Sequence, residues 1–342
     1  MTVRVGVIGT GVIGQDHIRR ITRVVSGGAV TAVTAVDAAR AESAAAALTG
    51  VTVHPSGRDL IADPGVDAVL VTSWAQTHAE HVLTAIDAGK PVFCEKPLAT
   101  THADGEAIMK AEVAAGRRLV QVGFMRRYDA GYRALKAAVD DGAIGTPLLM
   151  HCAHRNASVP PYGFTTESII SDSAIHEIDL VRWLFGEEIV ATAILKPRRS
   201  SKGSDSLHDP LIVLLETASG ILVDVEVFVN ATYGYDIRGE VVGEHGTVAL
   251  GDHGGVVVSV VGRRSWPVPE DWRERFGRAF DAEFQDWLSA LAAGAPRGPS
   301  SWDGVAATAV AEACLAALRT GERTAVALPD RPEFYGPHPW IP

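Results

Sequence analysis

The sequence predicts an α/β protein of two domains: a doubly wound parallel sheet, then an α+β domain with a large, mostly antiparallel open sheet. Up to about residue 123, short apolar runs alternate with helical patterns, which is typical of βαβ units. From residue 148, the strand-like runs alternate in polarity or end in turn residues, which favours antiparallel pairing. A length of 342 residues also fits two domains. We therefore assign residues 1–123 to the first domain and residues 124–342 to the second.

The first domain contains five apolar runs separated by Ala-rich helical segments with scattered acidic residues. The predicted strands are Val3–Ile8, Ala29–Val36, Val66–Thr72, Pro91–Cys94 and Leu119–Val122. Gly89 and Gly116 follow two of the helical segments. We expect them to end these helices, because glycine readily adopts the left-handed conformation of a helix C-terminus.

The second domain is dominated by strands. The predicted strands are Leu148–Ala153, Ile189–Leu195, Leu211–Glu216, Ile221–Asn230, Gly239–Val242, Thr247–Leu250 and Val256–Val261. One helix near Asp172–Phe185 interrupts them, and another is predicted over Val305–Leu318. Phe280, Phe284 and Trp287 recur at helical spacing, together with Leu288 and Leu291, and we interpret them as core packing.

Composition and charge restrict the classes of protein to which the chain can belong. Hydrophobic residues make up 47% of the chain, and its formal net charge of −10 argues against a nucleic acid partner. No apolar run reaches the ~18 residues of a membrane span, and the chain opens with a strand, so we expect a cytoplasmic protein without a membrane partner. Cys94, Cys152 and Cys314 are widely spaced in apolar segments, so we expect neither a disulfide nor a metal site.

A glycine-rich turn at the end of the first strand predicts dinucleotide binding. It reads Gly9-Thr10-Gly11-Val12-Ile13-Gly14 and stands between an apolar run and a helical stretch that begins at Val12. The first glycine permits a tight turn, the second allows close approach of a pyrophosphate, and the third allows the helix to pack on the strand. The N-terminus of the helix would face the phosphates.

An acidic residue after the second apolar run predicts which dinucleotide is bound. Asp37 stands where a carboxylate would accept hydrogen bonds from the adenosine ribose and repel a 2′-phosphate. We therefore predict NAD, preferred over NADP at least tenfold in catalytic efficiency, or ~1.4 kcal/mol. Arg40 leaves an alternative, because it could partner a 2′-phosphate if Asp37 turned away. An exposed arginine on an Ala-rich helix is the simpler explanation.

Candidate catalytic residues occur at two distant places. Lys96 directly follows a predicted strand, at the sheet edge where ligands of doubly wound folds bind, although an isolated Lys-Pro is more often a surface turn. Asp172 and His176 are four residues apart, so an α-helix places them on one face, with Asp179 on the same side of His176. Such a face can relay a proton. A helix with capping acids and a packed or solvated histidine is an equally simple interpretation.

The chain resembles the Gfo/Idh/MocA oxidoreductase family over nearly its whole length. The resemblance rests on the order of seven segments: Gly9–Ile21, Cys94–Ala99, Gly123–Asp129, His151–Asn156, Asp172–Asp179, Tyr233–Ile237 and Ser301–Gly304. It implies an N-terminal Rossmann domain, a C-terminal α/β domain with an open sheet, and a homotetramer that associates through these sheets. An open apolar sheet face must be covered, which also favours a homo-oligomer.

The resemblance also implies roles for individual residues. The implied catalytic residues are Lys96, Asp172 and His176, with His176 as the base. Residues implied to bind the cofactor are Gly9, Thr10, Gly11, Val12, Ile13, Gly14, Asp37, Arg40, Ser73, Trp74, His78, Glu95 and Lys96. Residues implied to bind a polyol are Lys96, Arg126, His154, Asn156, Asp172, Ser173, His176 and Tyr235, a mixture of donors and acceptors suited to a ring bearing hydroxyls on every side.

The resemblance further implies an activity, the NAD-dependent oxidation of a ring hydroxyl of myo-inositol to an inosose. An alternative with the same chemistry is oxidation of another cyclic polyol or sugar, such as scyllo-inositol, chiro-inositol or an aldose. A third possibility is a dinucleotide-binding sensor without enzymatic activity. The presence of Lys96, Asp172 and His176 argues against a sensor, because a sensor does not need a proton relay.

Overall fold

A computed structural model describes residues 2–159, 163–251 and 257–336 of the chain. The described chain forms two compact units. The first comprises residues 2–124, Phe280–Thr308 and residues 330–336, and the second comprises Met125–Ala279 and Ala309–Pro329. The first break lies beside the predicted boundary, but residues 280–308 and 330–336, predicted in the second domain, pack with the first. Val256, the predicted start of a strand, lies outside the described residues.

The first unit contains a six-stranded parallel sheet in the order β3-β2-β1-β4-β5-β6. Its strands are β1 (Val3–Ile8), β2 (Gly28–Thr34), β3 (Thr52–Val53), β4 (Ala68–Val71), β5 (Val92–Glu95) and β6 (Val120–Gly123). The helices between them are α1 (Val12–Arg23), α2 (Ala38–Ala46), α3 (Gly57–Ala62), α4 (His78–Asp87) and α5 (His102–Ala115). This is the predicted doubly wound arrangement, and it brings the carboxyl ends of β1, β4 and β5 to one edge.

Aromatic residues from a helix late in the chain complete the core of the first unit. Phe284, Trp287 and Leu288 are buried in one cluster with Val5 and Val7 of β1. The rings of Phe93 and Phe284 are stacked, with centroids 4.7 Å apart. The predicted core role of these aromatics is confirmed, and it explains why residues 280–308 belong to the first unit.

The second unit contains a seven-stranded sheet in the order β12-β11-β7-β10-β9-β8-β15. Its strands are β7 (Pro147–Arg155), β8 (Ile189–Leu195), β9 (Leu211–Thr217), β10 (Leu222–Phe228), β11 (Asp236–Gly243), β12 (Thr247–Ala249) and β15 (Thr324–Ala325). Every neighbouring pair is antiparallel except β7 with β10, which is parallel. The prediction of a mostly antiparallel open sheet is therefore confirmed. A separate hairpin pairs β13 (Val258–Val260) with β14 (Arg263–Ser265).

The helices of the later chain position part of the site. They are α6 (Ala130–Asp140), α7 (Thr166–Ser168), α8 (Ile175–Phe185), α9 (Trp272–Ala292) and α10 (Ser301–Thr320). A π-helix, Ile169–Ala174, joins α7 to α8, so the helix predicted near Asp172 is not α-helical at its start. No helix within the described ranges has the length and apolarity that a membrane span needs.

Candidate active site

The glycine turn between β1 and α1 has the geometry that the sequence predicts. Gly9 has φ of 102°, and a Cβ there would lie 2.6 Å from the backbone nitrogen of Ser73. A Cβ on Gly14 would lie 2.1 Å from the carbonyl oxygen of Gly9, whereas a Cβ on Gly11 would meet no protein atom within 4 Å. Gly9 and Gly14 are therefore needed for packing, whereas Gly11 leaves its side of the turn open to a ligand.

The neighbours of the second glycine fit a phosphate-binding turn. Thr10 is 1% exposed, and its hydroxyl has no hydrogen-bond partner within the part of the chain that the structure describes. Val12 is exposed and Ile13 is half-buried at the start of α1. Thr72, directly after β4, stabilises the turn, because its hydroxyl donates to the carbonyl of Gly9 at 2.6 Å. The open side of the turn and this buried hydroxyl fit a dinucleotide.

Asp37 and Arg40 lie together at the start of α2. Asp37 caps the helix, since one carboxylate oxygen accepts from the backbone nitrogens of Ala39 and Arg40 at 3.1 and 3.4 Å. Its other oxygen lies 3.3 Å from Nε of Arg40, and both side chains are more than half exposed. The capping contacts fix the carboxylate at the end of β2, where a ribose would lie, and Asp37 offsets the charge of Arg40.

Three residues assigned to the cofactor follow β4, and they differ in exposure. Trp74 is 81% exposed, and the hydroxyl of Ser73 bonds that of Thr77 at 2.7 Å. His78 is buried: Nδ1 lies 2.7 Å from the carbonyl oxygen of Pro97 and Nε2 lies 3.1 Å from that of Ser73. Burial lowers the pKa of His78, so its neutral ring can donate only one of these bonds. His78 therefore supports two loops rather than facing outward.

Glu95 and Lys96 end β5 at the same edge of the sheet. Glu95 is buried, and Nε2 of His17 lies 2.7 Å from Oε1 of its carboxylate. The backbone nitrogen of Lys96 donates to Oε2 of Glu95 at 3.1 Å. The side chain of Lys96 is half-buried. The backbone from which it extends is fixed by the buried carboxylate of Glu95.

The π-helix changes the phase of the helix that carries the candidate proton relay. Asp172 and Ser173 lie in the π-helix, and His176 lies in the first turn of α8. Residues four apart still lie on roughly the same side of a π-helix, so the common face of Asp172 and His176 stays a prediction. Asp179 forms a buried ion pair with Arg127, at 2.9 Å between Arg127 Nε and Asp179 Oδ2. Asp179 lies three residues after His176 within α8, and its carboxylate pairs with Arg127.

Three predicted polyol-binding residues come together in the second unit. His154 is near the end of β7, His176 begins α8, and Tyr235 precedes β11. The ring centroid of His154 lies 6.3 Å from that of His176 and 6.2 Å from that of Tyr235. Burial raises the pKa of Tyr235 to about 12, so its hydroxyl remains a donor at neutral pH. Two imidazole rings and a phenol thus lie close together in the second unit.

Asn156 and Ser173, also assigned to the polyol, have different surroundings. Asn156 follows β7 and is fixed by its backbone, which donates to Phe228 and accepts from Ala231 at 3.0 and 2.8 Å. Its side-chain oxygen is buried and has no hydrogen-bond partner among the described residues. Ser173 is 3% exposed. The unmet acceptor of Asn156 fits a hydroxyl of a ligand.

Arg126 is buried beside Glu177 and His154. It is 1% exposed, and Nη1 forms an ion pair with Oε1 of Glu177. Nδ1 of His154 lies 3.0 Å from Oε2 of Glu177 and 3.1 Å from Nη2 of Arg126. Burial raises the pKa of Glu177, but the charge of Arg126 and the contact with His154 outweigh it, so the pKa is lowered overall. Arg126 and Glu177 thus support His154.

Glu177 is not among the residues that the sequence predicts for the site. It is an acid in a helix whose residues from Ile175 to Leu184 are buried, and a buried charge requires a partner, which is the signal that could have identified it. The described residues contain no group of three or more His, Cys, Asp or Glu that could hold a metal ion. All three cysteines are buried, and burial raises the pKa of each thiol.

Comparison with known proteins identifies the family. Residues 3–124 match the family model described as "Oxidoreductase family, NAD-binding Rossmann fold", and residues 136–328 match its "C-terminal alpha/beta domain". The chain belongs to the Gfo/Idh/MocA oxidoreductase family. Its first unit therefore carries the NAD-binding Rossmann fold of that family.

Relatives and solved structures agree with this membership. The chain is 57% identical over 336 residues to inositol 2-dehydrogenase 3 of Saccharopolyspora erythraea, covering 98% of this chain and 99% of the relative. It is similar to the crystal structure of myo-inositol dehydrogenase from Lactobacillus casei in complex with NAD(H) and myo-inositol, with 39% identity, a TM-score of 0.95, and coverage of 98% and 100%. Scyllo-inositol dehydrogenase of the same species, with NAD(H) and scyllo-inositol bound, is 25% identical, with a TM-score of 0.87 and coverage of 95% and 99%.

Proposed function

We propose that this protein is an NAD-dependent inositol 2-dehydrogenase that oxidises a ring hydroxyl of myo-inositol to the ketone of an inosose. One observation carries the proposal: a glycine turn open at Gly11 occurs in a chain with 39% identity and a TM-score of 0.95 to a myo-inositol dehydrogenase holding NAD(H) and myo-inositol. The clustered rings of His154, His176 and Tyr235 support it, since they offer donors and acceptors to a polyol.

Three side chains are proposed to carry out the chemistry. His176 accepts the proton of the hydroxyl that is oxidised, while Asp172 orients its ring and stabilises the protonated form. The ammonium group of Lys96 stabilises the negative charge that develops on the substrate oxygen. NAD, when bound, supplies the acceptor for the hydride that leaves the same carbon.

The remaining residues are proposed to hold the two ligands. Tyr235 and Asn156 bind hydroxyls of the polyol, Ser173 adds a small hydroxyl, and Arg126 acts through His154. The glycine turn would hold the pyrophosphate of NAD, Asp37 would bind its ribose, and Trp74 and Glu95 would border it. Because Asp37 is fixed as a helix cap beside Arg40, a 2′-phosphate would meet a carboxylate.

The protein is further proposed to be a cytoplasmic homotetramer. In this proposal the first unit binds NAD, and the second binds the polyol and forms the interfaces between subunits through its open sheet. Three buried cysteine thiols, not joined in disulfides, support a reducing compartment.

A substrate panel tests the proposed activity. Purified protein is mixed with NAD and with myo-, scyllo- or chiro-inositol or glucose, and NADH formation is followed by absorbance, with NADP in parallel. We expect myo-inositol to be the best substrate and NAD to be preferred at least about tenfold. Activity confined to scyllo-inositol would reassign the substrate, equal use of NADP would refute the role of Asp37, and NAD binding without turnover would favour a sensor.

A further inference from the structure

The backbone around Lys96 is held from both sides by buried histidines. Before the lysine, Nε2 of His17 lies 2.7 Å from Oε1 of Glu95, and Oε2 of Glu95 accepts from the backbone nitrogen of Lys96 at 3.1 Å. After the lysine, Nδ1 of His78 lies 2.7 Å from the carbonyl oxygen of Pro97. His17 comes from α1, the helix that begins at the glycine turn, so one buried ring connects that helix to the end of β5.

The contacts of His17 determine where its proton lies. Nη1 of Arg20 is 3.3 Å from Nδ1 of His17, and a guanidinium group has only donors, so Nδ1 must accept. The ring proton is therefore on Nε2, which donates to Glu95. Arg20 is itself fixed, by an ion pair with Asp16 and by a 2.9 Å contact between its Nε and Oδ1 of Asp281.

The packing around this contact leaves the ring little freedom to move. His17 is 0% exposed, and its ring centroid lies 4.4 Å from that of Phe284 and 5.4 Å from that of Phe280. On the other side of Glu95, a Cβ on Gly123 would lie 3.1 Å from the carboxylate, so the glycine gives the carboxylate its space. A hydrogen bond in such dry surroundings is stronger than the same bond in water.

We propose that His17 is a positioning residue for Lys96, acting through Glu95. The Nε2–H of His17 fixes one oxygen of the Glu95 carboxylate, and the other oxygen then fixes the N–H of Lys96, which sets the position from which the lysine side chain extends. The proposal rests on the catalytic role proposed for Lys96. An error of about 1 Å in such a group can cost on the order of 100-fold in rate.

Two substitutions of His17 separate hydrogen bonding from packing. His17→Phe keeps an aromatic ring in the pocket and removes the donor to Glu95. His17→Gln gives up the ring but keeps an amide N–H that reaches about where Nε2 lies. The matched control is His54→Phe, because His54 also pairs with a carboxylate, Asp63, at 2.9 Å but follows β3 at the far edge of the sheet.

Amide hydrogen exchange tests the proposal without any activity. We expect the Lys96 amide to exchange about tenfold faster in His17→Phe than in the wild type, with peptides from β1 and β4 unchanged. His17→Gln and His54→Phe are expected to match the wild type at Lys96. Unchanged exchange at Lys96 in His17→Phe would overturn the proposal. Faster exchange throughout the sheet in that variant would also overturn it, since it would show a general structural role.

Kinetics provide the second measurement. In His17→Phe we expect kcat to fall about 10–100-fold with the KM for NAD within about threefold, and in His17→Gln we expect kcat within about threefold of the wild type. The isotope effect with substrate deuterated at the reacting carbon should rise only in His17→Phe, because hydride transfer becomes slower. Equal losses of kcat in the two variants would contradict the proposal. A wild-type protein without inositol turnover would refute the proposed function, and hydrogen exchange would still decide the role of His17.

Discussion

His176 is the residue on which the proposed chemistry depends most. It lies in the first turn of α8, 9% exposed, with the ring of His154 6.3 Å away. Its place after a π-helix is typical of functional positions, since such turns redirect side chains from the regular helical path. A base is needed only when the hydroxyl proton leaves, so its loss should affect turnover much more than cofactor binding.

His176→Ala is therefore expected to lower kcat by about 100-fold or more, because it removes the general base. The dissociation constant for NAD should stay within about twofold, since the glycine turn is untouched. Steady-state kinetics with myo-inositol and calorimetric titration with NAD measure the two quantities. In the wild type, oxidation should increase with pH through one ionisation near neutrality or above. Near-normal turnover in the variant would refute the assigned role.

Glu177 is a single residue that is expected to affect both the stability of the fold and the binding of the polyol. It is 1% exposed and its carboxylate contacts both Arg126 and His154, so removing its charge leaves a buried guanidinium without its anion. Breaking such a pair costs about 3–5 kcal/mol. Glu177→Gln should therefore unfold at a lower denaturant concentration at pH 7 and raise the KM for the polyol, because His154 loses its support. Glu322→Gln, an exposed site, is the control.

The sign of the pH dependence follows from the lowered pKa of Glu177. A carboxyl whose pKa is lower when folded than the ordinary 4.5 stabilises the protein above that value and loses this contribution as the pH falls through the folded pKa. The stability difference between wild type and Glu177→Gln should thus be full at pH 7 and shrink below about pH 4.5. Denaturation curves at several pH values measure it, and a difference that grows toward acid pH would contradict the assignment.

At the scale of elements, the glycine turn makes opposite demands at neighbouring positions. A methyl group on Gly14 would lie 2.1 Å from the carbonyl oxygen of Gly9, while one on Gly11 would meet no protein atom. Gly14→Ala should therefore destabilise the fold by about 1–3 kcal/mol through overpacking. Gly11→Ala should keep the melting temperature and weaken NAD binding about tenfold or more, because the methyl occupies the approach of the pyrophosphate. Thermal unfolding and NAD titration test both variants, and wild-type NAD affinity in Gly11→Ala would refute the turn's role.

The sequence predicts long elements well and short or irregular ones poorly. The predicted bounds of β1 and β8 are those of the structure, because their apolar runs end at glycine or charged residues. The two-residue β3 was not predicted, since a strand of that length has no periodicity to detect. The prediction for β2 ran to Val36, which is fully exposed, because α2 starts at the Asp37 cap and the chain must leave the sheet earlier.

The π-helix marks the limit of prediction at the site. Helical spacing places Asp172 and His176 on one helical segment, but it does not predict the π-helix there, because hydrogen bonding to the fifth residue depends on packing that a sequence pattern does not carry. The same holds for Arg126, whose burial against Glu177 depends on contacts 51 residues apart in the chain. Pairings between distant segments were recognised only where the family resemblance supplied them.

At the scale of the whole molecule, the composition of the compact units was not visible in the sequence. Residues 280–308 were predicted in the second domain by their position in the chain, whereas their aromatic residues fill the core beneath β1. Their helical spacing indicated burial correctly, but periodicity does not say against which sheet a helix packs. Local sequence patterns therefore give a single domain boundary, even where a later segment of the chain packs in the first unit.

The open sheet of the second unit bears on the assembly of the whole molecule. On one of its faces the side chains are half-buried or exposed, whereas the alternate side chains on the other face are buried. In β9, Leu211, Val213 and Leu215 are buried while Ile212 and Leu214 between them are only half-buried, and Leu222 of β10 is 49% exposed. On this face Ile212 and Leu214 lie opposite Glu226 and Asp224 of β10, so the surface is mixed, and its apolar members favour contact with a second copy of the chain. We propose this surface as the interface of the expected homotetramer.

A charge in the middle of this face should break the assembly. Light scattering on the wild type is expected to give a mass about four times 36.1 kDa, whereas Leu214→Glu should give a smaller species with unchanged secondary structure. The reason is that a carboxylate buried at a subunit interface, directly opposite Asp224, costs several kcal/mol, while on a free sheet face it remains hydrated. Val24→Glu, at an exposed position of the first unit, is the control and should leave the mass unchanged. A tetramer that survives Leu214→Glu would show that the subunits associate through another surface, and a monomeric wild type would refute the assembly itself.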